Sequence, residues 1–301
     1  MRALIVGLGS IGRKHLAALR ACEPDVEVWA LRSSAQSRPE PGVTDIYSTE
    51  EGPDFDFAIV SNPTSCHAAT VKELLKLRIP LFIEKPLFAD LGHEDLLEEI
   101  RQSGIPTYVG CNMRFMDTLI FLKERIKGLR INEVNVYCGS YLPEWRPGTD
   151  WRSCYSAREE LGGGVHRDLI HELDYVWWFF GRPEHCTRTL KSNSSLGISA
   201  ADYANYLLEY PEFCVSVVLD YYRRDYRRTV EIVAENGTLL ADLGNGTVRD
   251  ASGGLLFESS QDDFEVYCAQ MRYFLSLLTQ RDSRSSNDVF EAYEVLKLCL
   301  G

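Results

Sequence analysis

The sequence lacks the features that would point to secretion or to a membrane. No apolar run approaches the roughly 18 residues that a membrane-spanning helix needs. The segment MRALIVGLGS at the amino terminus has only four consecutive apolar residues before a glycine, which is short for the core of a signal peptide. We therefore expect no membrane association and a cytoplasmic location.

Positive charge is also scarce. The 301 residues include 32 Lys and Arg against 44 Asp and Glu, which gives a net charge of −12. Nucleic acids and polyanionic membrane surfaces are disfavoured partners, because binding phosphate backbones needs a clustered basic surface. A small anionic ligand stays possible, since a few local arginines can hold one.

Cysteine is present but lacks the spacing of a disulfide framework or of a metal site. The nine cysteines are an odd number and contain no C-x-x-C, which favours reduced thiols. His166, His171, Glu172 and Asp174 lie close together, yet they form neither H-x-x-x-H nor H-E-x-x-H. We predict no metal site.

The first 110 residues alternate short apolar runs with helical patterns. The runs are 3–7, 26–31, 57–61, 81–85 and 107–111, and the helical patterns are 11–21, 67–78 and 92–103. This alternation predicts an α/β domain with a doubly wound parallel sheet. The Ser- and Pro-rich segment 33–48 is expected to be a loop.

The remainder of the chain has a different order of predicted helices and strands. It predicts a helix (117–127), a strand (133–140), an irregular segment (141–164), a helix (166–180), period-two strands between 185 and 257, and two helices (263–280 and 288–300). Breakers such as NG and GNG between the strands indicate antiparallel pairing. We predict two domains, 1–115 and 116–301, the second α+β with a mainly antiparallel sheet. The last helix could pack back on the first domain.

The stretch GLGSIG (7–12) follows a predicted strand and opens a predicted helix, which is the context that makes G-x-G-x-x-G informative. Gly7 permits the tight turn, Gly9 lets a pyrophosphate approach the backbone, and Gly12 lets helix and strand pack closely. The helix N-terminus offers unpaired N–H groups to that pyrophosphate. The motif predicts a dinucleotide site.

The end of the second strand bears on the choice of dinucleotide. An acidic residue there would bind the ribose 2′-OH of NAD, but the sequence has Arg32, Ser33 and Ser34. An arginine with two hydroxyls suits a 2′-phosphate, so NADP(H) is preferred. NAD(H) bound without the acidic contact is the alternative.

Two further segments end predicted strands. In SNPTSCH (61–67), the backbone could line the nicotinamide ribose. In EKP (84–86), Pro86 pushes Lys85 out of the helical region, and a partly desolvated ammonium could polarise a reacting oxygen. The alternative for Glu84 and Lys85 is a surface ion pair.

The stretch LGGGVHRDLIHELDY (161–175) combines three glycines with titratable residues. On one continuous helix, Asp168 and His171 would share a face. Oxidation of an alcohol by hydride transfer needs a base, and histidine titrates near the working pH. Asp168 could orient the ring or bind a hydroxyl. The alternative is that His171 is a structural residue paired with Asp174. The three glycines are expected to let the backbone approach the substrate and the cofactor.

Segment 141–158 is rich in aromatic residues and arginine, as a carbohydrate or sugar-nucleotide site requires. From it we select Arg152 and Tyr155 as substrate-binding candidates, together with Arg114. The alternative is a loop that packs between domains.

The motifs GLGSIGRKH, NPTSCH, EKP and CNMRF, followed by a glycine triplet with Asp and His downstream, resemble the glucose–fructose oxidoreductase / inositol dehydrogenase / MocA-like (Gfo/Idh/MocA) family over nearly the whole chain. The resemblance implies a Rossmann domain and an α+β domain that is often used for homo-oligomerisation. It also implies an NAD(P)-dependent oxidoreductase of sugars, cyclitols or sugar nucleotides. The segment 141–175 is similar to a subgroup associated with bacterial surface-polysaccharide gene clusters.

By resemblance, Lys85 contacts nicotinamide and substrate, and Asp168 and His171 match the family's aspartate and histidine. The commoner family pattern places three residues between these two, whereas here there are two, so Glu172 occupies the usual position of the histidine. The choice between His171 and Glu172 stays open. The expected cofactor contacts are Gly7, Gly9, Ser10, Ile11, Gly12, Arg32, Ser33, Ser34, Asn62, Pro63, Thr64, His67, Glu84, Lys85 and Asn112.

Three functions are compatible with these patterns. The first is a dehydrogenase acting on a secondary alcohol or ketone of a carbohydrate-like substrate. The second is an enzyme of another class that uses bound NAD as an internal hydride relay, for glycosidic cleavage or elimination. The third is a non-catalytic dinucleotide sensor, which the presence of Lys85 and His171 disfavours.

Overall fold

A computed structural model describes residues 1–279 and 285–301. In chain order its strands and α-helices are β1 (Arg2–Val6), α1 (Ser10–Cys22), β2 (Glu27–Leu31), β3 (Val43–Ile46), β4 (Phe57–Val60), α2 (His67–Leu74), β5 (Leu81–Ile83), α3 (Glu94–Ser103), β6 (Thr107–Val109), α4 (Asp117–Arg125), β7 (Ile131–Tyr141), α5 (Val165–Asp168), α6 (His171–Phe180), β8 (His185–Lys191), β9 (Tyr203–Glu209), β10 (Cys214–Asp220), β11 (Tyr222–Ala234), β12 (Gly237–Asp242), β13 (Thr247–Asp250), β14 (Leu255–Glu258), α7 (Asp263–Thr279) and α8 (Val289–Leu300). Within the described ranges, no helix is both long and apolar enough to cross a membrane.

The chain forms two compact units. The first contains residues 1–112 and 262–301, and the second contains 113–261. The predicted division into 1–115 and 116–301 needs correction, because α7 packs against α1. The contact of the last helix, α8, with β6 is the arrangement that the sequence left open. The returning segment therefore belongs to the first unit. Residue 280, the last of the helix predicted over 263–280, lies outside the described residues.

The first unit contains a six-stranded parallel sheet in the order β3-β2-β1-β4-β5-β6. Its central strands are buried on both faces, which explains why they appear in the sequence as continuous apolar runs. The predicted doubly wound sheet is confirmed. The expected loop 33–48 is wrong in part, because residues 43–46 form β3. This short edge strand carries only a partial apolar pattern, which a sequence window does not distinguish from a loop.

The second unit is built on an eight-stranded sheet in the order β14-β13-β12-β11-β7-β10-β9-β8. Every neighbouring pair is antiparallel except β7 and β10, which run parallel. Alternate residues of β7 and β11, such as Val134, Val136 and Val230, are buried. The predicted mainly antiparallel sheet is confirmed. The other face, which carries Leu207 and Leu240, is called the open face below.

The single helix predicted over 166–180 is wrong. The structure has a short α5 that ends at Asp168 and a separate α6 that begins at His171. Between them, Leu169 leaves the helical region with φ −100° and ψ 31°. Asp168 and His171 therefore belong to different helices, and the shared-face argument for a continuous helix does not apply to them.

Candidate active site

The glycine turn after β1 has the shape that a dinucleotide needs. Gly7 adopts φ +88°, and a β-carbon there would lie 2.5 Å from the Asn62 Cα. A β-carbon at Gly12 would lie 2.4 Å from the Gly7 carbonyl oxygen, so α1 and the turn are in direct contact. At Gly9, by contrast, no atom lies within 4 Å of that position. The turn thus leaves open space at the start of α1, where a pyrophosphate would fit.

The loop after β4 packs against this turn. The Ser61 hydroxyl donates to the Gly7 carbonyl oxygen at 2.8 Å, and the Asn62 side chain donates to the Thr70 hydroxyl at 2.7 Å. Pro63 is exposed and Thr64 half-buried, so both are accessible in this loop. Ser10 is exposed and Ile11 half-buried at the start of α1. These predicted cofactor residues surround one turn of the first unit.

His67 occupies a different environment. It is 1% exposed, and its ring nitrogens lie 3.1 Å from the Leu87 carbonyl oxygen and 3.0 Å from the Asn62 carbonyl oxygen. Burial lowers the pKa of His67, so the neutral ring can donate to only one of these oxygens. His67 therefore connects the loop after β4 to the segment after β5, and its predicted contact with the cofactor stays a prediction.

Lys85 is held by its neighbour Glu84. The Lys85 backbone N–H donates to Glu84 Oε2 at 3.0 Å, and Glu84 Oε1 lies 2.5 Å from His15 Nε2. Glu84 is 6% exposed and His15 is fully buried. The carboxylate thus joins Lys85 to α1, the helix that follows the glycine turn. The alternative of a surface ion pair between Glu84 and Lys85 does not describe this buried Glu84.

Arg32 lies at the end of β2, as predicted, but its side chain turns inward. It is 9% exposed, its Nε lies 3.5 Å from Asp45 Oδ1, and its Nη2 donates to the Arg38 carbonyl oxygen at 2.9 Å. Ser33 and Ser34 are exposed. A carboxylate therefore does stand beside the end of β2, supplied by β3.

In the second unit, two tyrosines hold Asp168. The Tyr221 hydroxyl donates to Asp168 Oδ2 at 2.5 Å, and the Tyr155 hydroxyl donates to Oδ1. Burial, together with the negative charge of Asp168, raises the pKa of both phenols, so they remain protonated donors. The structure thus joins two predicted site residues, Tyr155 and Asp168, through a contact that the sequence did not indicate. With both oxygens accepting from phenols, Asp168 is better suited to orientation than to proton transfer.

The first two residues of α6 have distinct environments. His171 is half-buried at the first position of the helix. Glu172 is fully buried, and its Oε1 accepts from Arg228 Nε at 2.6 Å. This ion pair with β11 makes Glu172 a poor candidate for the acid–base position and leaves His171 as the better one.

Asp174 is paired with Arg114. Arg114 Nε donates to Asp174 Oδ2 at 2.9 Å and its Nη2 donates to Oδ1 at 2.7 Å, with both residues at most 3% exposed. The fork geometry is that of a strong bidentate pair. The alternative that His171 is a structural residue paired with Asp174 is therefore disfavoured. One edge of the Arg114 guanidinium is committed within the protein, and its substrate contact stays a prediction.

His166 is an unsuitable base. It is 4% exposed, and burial, with a smaller effect of the Arg167 charge, lowers its pKa to about 4. The ring is therefore neutral near pH 7 and only a weak proton acceptor.

The glycine triplet supports packing within its own unit. A β-carbon at Gly163 would lie 2.1 Å from the Tyr155 carbonyl oxygen, and Gly164 adopts φ +134°. The expected approach of this backbone to substrate does not describe Gly163, because the loop that carries Tyr155 already fills the space.

Two predicted residues remain more accessible. Arg152 is exposed and lies over the Trp151 ring, 4.3 Å from its centroid. Asn112 is half-buried in the 3₁₀ turn that follows β6. Within residues 1–279 and 285–301, no group of three or more His, Cys, Asp or Glu could hold a metal ion.

The sequence did not identify His15, Asp45, Tyr221 or Arg228. Each contacts a predicted residue from a distant part of the chain, with 13 to 69 positions between partners. The polar run LDYYRRDYRR (219–228) was the one available signal for Tyr221 and Arg228.

Comparison with known proteins adds independent information. The family described as "Oxidoreductase family, NAD-binding Rossmann fold" (Gfo/Idh/MocA) matches residues 1–110, and its "C-terminal alpha/beta domain" matches residues 123–282. The myo-inositol 2-dehydrogenase of Thermotoga maritima is 24% identical over 260 residues, which cover 80% of this chain and 75% of that protein.

Two solved structures share the fold. The UDP-N-acetylglucosamine 3-dehydrogenase from Acidithiobacillus ferrooxidans superimposes with a TM-score of 0.79 at 18% identity, covering 100% of this chain and 95% of the other. The WlbA dehydrogenase from Bordetella pertussis, in complex with NADH and UDP-GlcNAcA, gives 0.78 at 19% identity, with 100% and 94% covered.

The tyrosine contacts to Asp168 predict a measurable loss of stability. Tyr221→Phe keeps the buried ring but removes one donor to a carboxylate, and should lower the free energy of unfolding by about 1.5–3 kcal/mol. Urea denaturation measures the difference. Tyr222→Phe, at an exposed neighbouring position, is the matched control and should change stability by less than about 0.5 kcal/mol. Equal effects of the two substitutions would contradict the assigned contact.

Proposed function

This chain belongs to the Gfo/Idh/MocA oxidoreductase family, and from that premise we propose that it transfers a hydride between nicotinamide and a CH–OH group of a sugar, cyclitol or sugar nucleotide. The observation that carries the proposal is the open glycine turn at Gly9 in the first unit. A bound nicotinamide dinucleotide would supply or accept the hydride.

The cofactor would be held by the glycine turn and the neighbouring loops of the first unit. The Gly9 and Ser10 backbone at the start of α1 would bind the pyrophosphate. The loop of Asn62, Pro63 and Thr64 would line the ribose of the nicotinamide half. The fit rests on the missing side chain at Gly9 and on the close packing of Gly7 against Asn62.

Three side chains would carry the proton and charge chemistry. Lys85 would polarise the substrate oxygen, because an ammonium stabilises negative charge that develops there. His171 would take the hydroxyl proton in oxidation and return it in reduction. Asp168, fixed by Tyr155 and Tyr221, would bind a substrate hydroxyl or orient the imidazole.

The substrate class is supported by the relatives. One acts on myo-inositol and a structural neighbour on UDP-N-acetylglucosamine, so both cyclitols and sugar nucleotides are candidates. Arg152, exposed and stacked on Trp151, would suit a phosphate or carboxylate group of such a substrate.

The cofactor preference has two sides. The sequence favoured NADP(H) through Arg32, Ser33 and Ser34, and the exposed serines would suit a 2′-phosphate. The pairing of Arg32 with Asp45 favours NAD(H) instead.

We also propose a cytoplasmic setting. All nine cysteines are free thiols, as expected in a reducing compartment.

The open face of the second unit supports homo-oligomerisation. Leu207 and Leu240 are 40% and 41% exposed, and register places both in one row across the sheet through Ser216, Asn135 and Glu231. Exposed apolar side chains on a sheet face are suited to a subunit interface.

Light scattering of the purified protein should therefore give a multiple of 34.2 kDa. Replacing Leu207 and Leu240 together by Asp should yield monomers, because buried unpaired carboxylates oppose association. Leu161→Asp, at the exposed end of a 3₁₀ helix, is the control and should keep the assembly. A monomeric wild type would refute the oligomer.

Gly9→Ala should separate binding from folding. Gly9 has φ −82° and ψ −158°, which alanine tolerates, and no atom would meet its β-carbon. The melting temperature should stay within about 2 °C of the wild type. The dissociation constant for NADH, measured by fluorescence titration, should rise at least about tenfold because the methyl group enters the pyrophosphate space. Ala17→Ser, on an exposed part of α1, should alter neither quantity. Undiminished binding by Gly9→Ala would remove the main support for the proposal.

Turnover of a panel of free and nucleotide-activated sugars and inositols tests the reaction itself. Product should form together with a stoichiometric change in nicotinamide absorbance. Lys85→Ala should lower kcat by about a hundredfold, the usual effect of removing an oxyanion-stabilising group. Lys76→Ala, in an exposed ion pair with Glu73, should retain turnover. Product that accumulates without any absorbance change would instead indicate an internal hydride relay.

A further inference from the structure

Asp45 occupies a position that bears on the choice between the two dinucleotides. It lies in β3, paired in register with Ala30 of β2, so its side chain stands beside the end of the second strand. Arg32 immediately follows β2, and its backbone N–H donates to the Ile46 carbonyl oxygen at 2.9 Å. The Arg32 Nε then lies 3.5 Å from Asp45 Oδ1.

The Arg32 side chain is enclosed by this arrangement. Only 6% of it is exposed, against 21% of Asp45, and its Nη2 donates to the Arg38 carbonyl oxygen at 2.9 Å. To reach a ligand phosphate, the guanidinium would have to leave both the carboxylate and the carbonyl. Moving this enclosed arginine away from its carboxylate leaves charge uncompensated and is costly.

We propose that Asp45 selects NAD(H) over NADP(H) by neutralising Arg32 and repelling a 2′-phosphate. The inference rests on the proposed dinucleotide function. In this type of fold the 2′ substituent of the adenosine ribose reaches the end of the second strand. A 2′-hydroxyl is neutral there, whereas a 2′-phosphate would place negative charge close to Asp45.

Two other arginines near this segment are engaged within the protein, whereas Arg38 is exposed. Arg13 Nε donates to Glu40 Oε2 at 2.8 Å, so a second arginine on this side of the sheet is matched by a carboxylate. Arg20 Nη2 donates to the carbonyl oxygens of Pro41 and Gly42. Arg13, Arg20 and Arg32 therefore all contact residues of the segment that follows β2. Asp45 differs from Glu40 in that it contacts the residue at the strand end itself.

Fluorescence titration of the full chain with NADH and with NADPH tests the proposal without knowledge of the substrate. The wild type should bind NADH at least about tenfold more tightly than NADPH. Asp45→Asn removes the charge at constant size and should strengthen NADPH binding about tenfold, with NADH binding nearly unchanged. Combining Asp45→Asn with Arg32→Gln should keep only the part of that gain that comes from the lost repulsion, because the released guanidinium is then absent.

Glu40→Gln is the matched control. It removes one carboxylate from an arginine in the same region and should leave the NADPH-to-NADH ratio unaltered, because Glu40 is paired with Arg13 and not with the residue at the strand end. Thermal melting checks each variant for folding. Asp45→Ser serves as the second variant should Asp45→Asn prove unstable, and the same change in ratio is expected from it.

The outcomes distinguish a failure of the proposed dinucleotide function from a failure of the role assigned to Asp45. Failure of the wild type to bind either dinucleotide would overturn the proposed function and this inference with it. Normal NADH binding with an unaltered ratio in both folded Asp45 variants would overturn the inference alone. Tighter binding of NADPH than NADH by the wild type would also overturn it.

Discussion

Two ion pairs, each with a buried carboxylate, hold the helix that carries His171. Glu172 is paired with Arg228 of β11, and Asp174 with Arg114, the residue three positions before α4. Removing one partner from a buried pair typically costs about 3–5 kcal/mol, because the other charge is left without compensation. The first turn of α6 is therefore fixed to two separate elements. The position of His171 depends on this anchoring more than on any property of the histidine itself.

The same strand region also determines the environment of Asp168. Tyr221 immediately precedes β11, the strand that supplies Arg228, and donates to Asp168 just before the break between α5 and α6. Anchors for both helices thus come from one stretch of eight residues, 221–228. The titratable residues of 161–175 have different environments. His166 is buried and neutral, whereas Glu172 and Asp174 each form an ion pair with an arginine. Asp168 and His171 are left as the candidates for chemistry.

The features that could be predicted from sequence are those encoded locally. The apolar runs and the glycine turn identify the parallel sheet and the dinucleotide fingerprint, because strand, turn and helix lie within about 20 residues of one another. The missed features depend on distant partners. Arg32 indicates a phosphate ligand in the sequence, but Asp45 of the neighbouring strand lies beside it. Arg114 indicates a substrate contact, but Asp174 occupies one edge of its guanidinium. The break after Asp168 carries no glycine or proline signal, so the helical pattern alone extended across it.

Because the chain returns to its first unit, that unit cannot complete its fold before the second unit has been synthesised. Strand β6 lies at the edge of the parallel sheet, and its Val109 exchanges two hydrogen bonds with Asn287, at 2.8 and 2.9 Å. Domains usually fold as the ribosome delivers them, amino-terminal part first. Here the edge of the earliest sheet is covered only after residues 262–301 emerge, by which time 113–261 have been delivered in full. Until that segment emerges, the nascent chain must keep an unprotected strand edge apart from other chains, and the dinucleotide turn belongs to an incomplete unit.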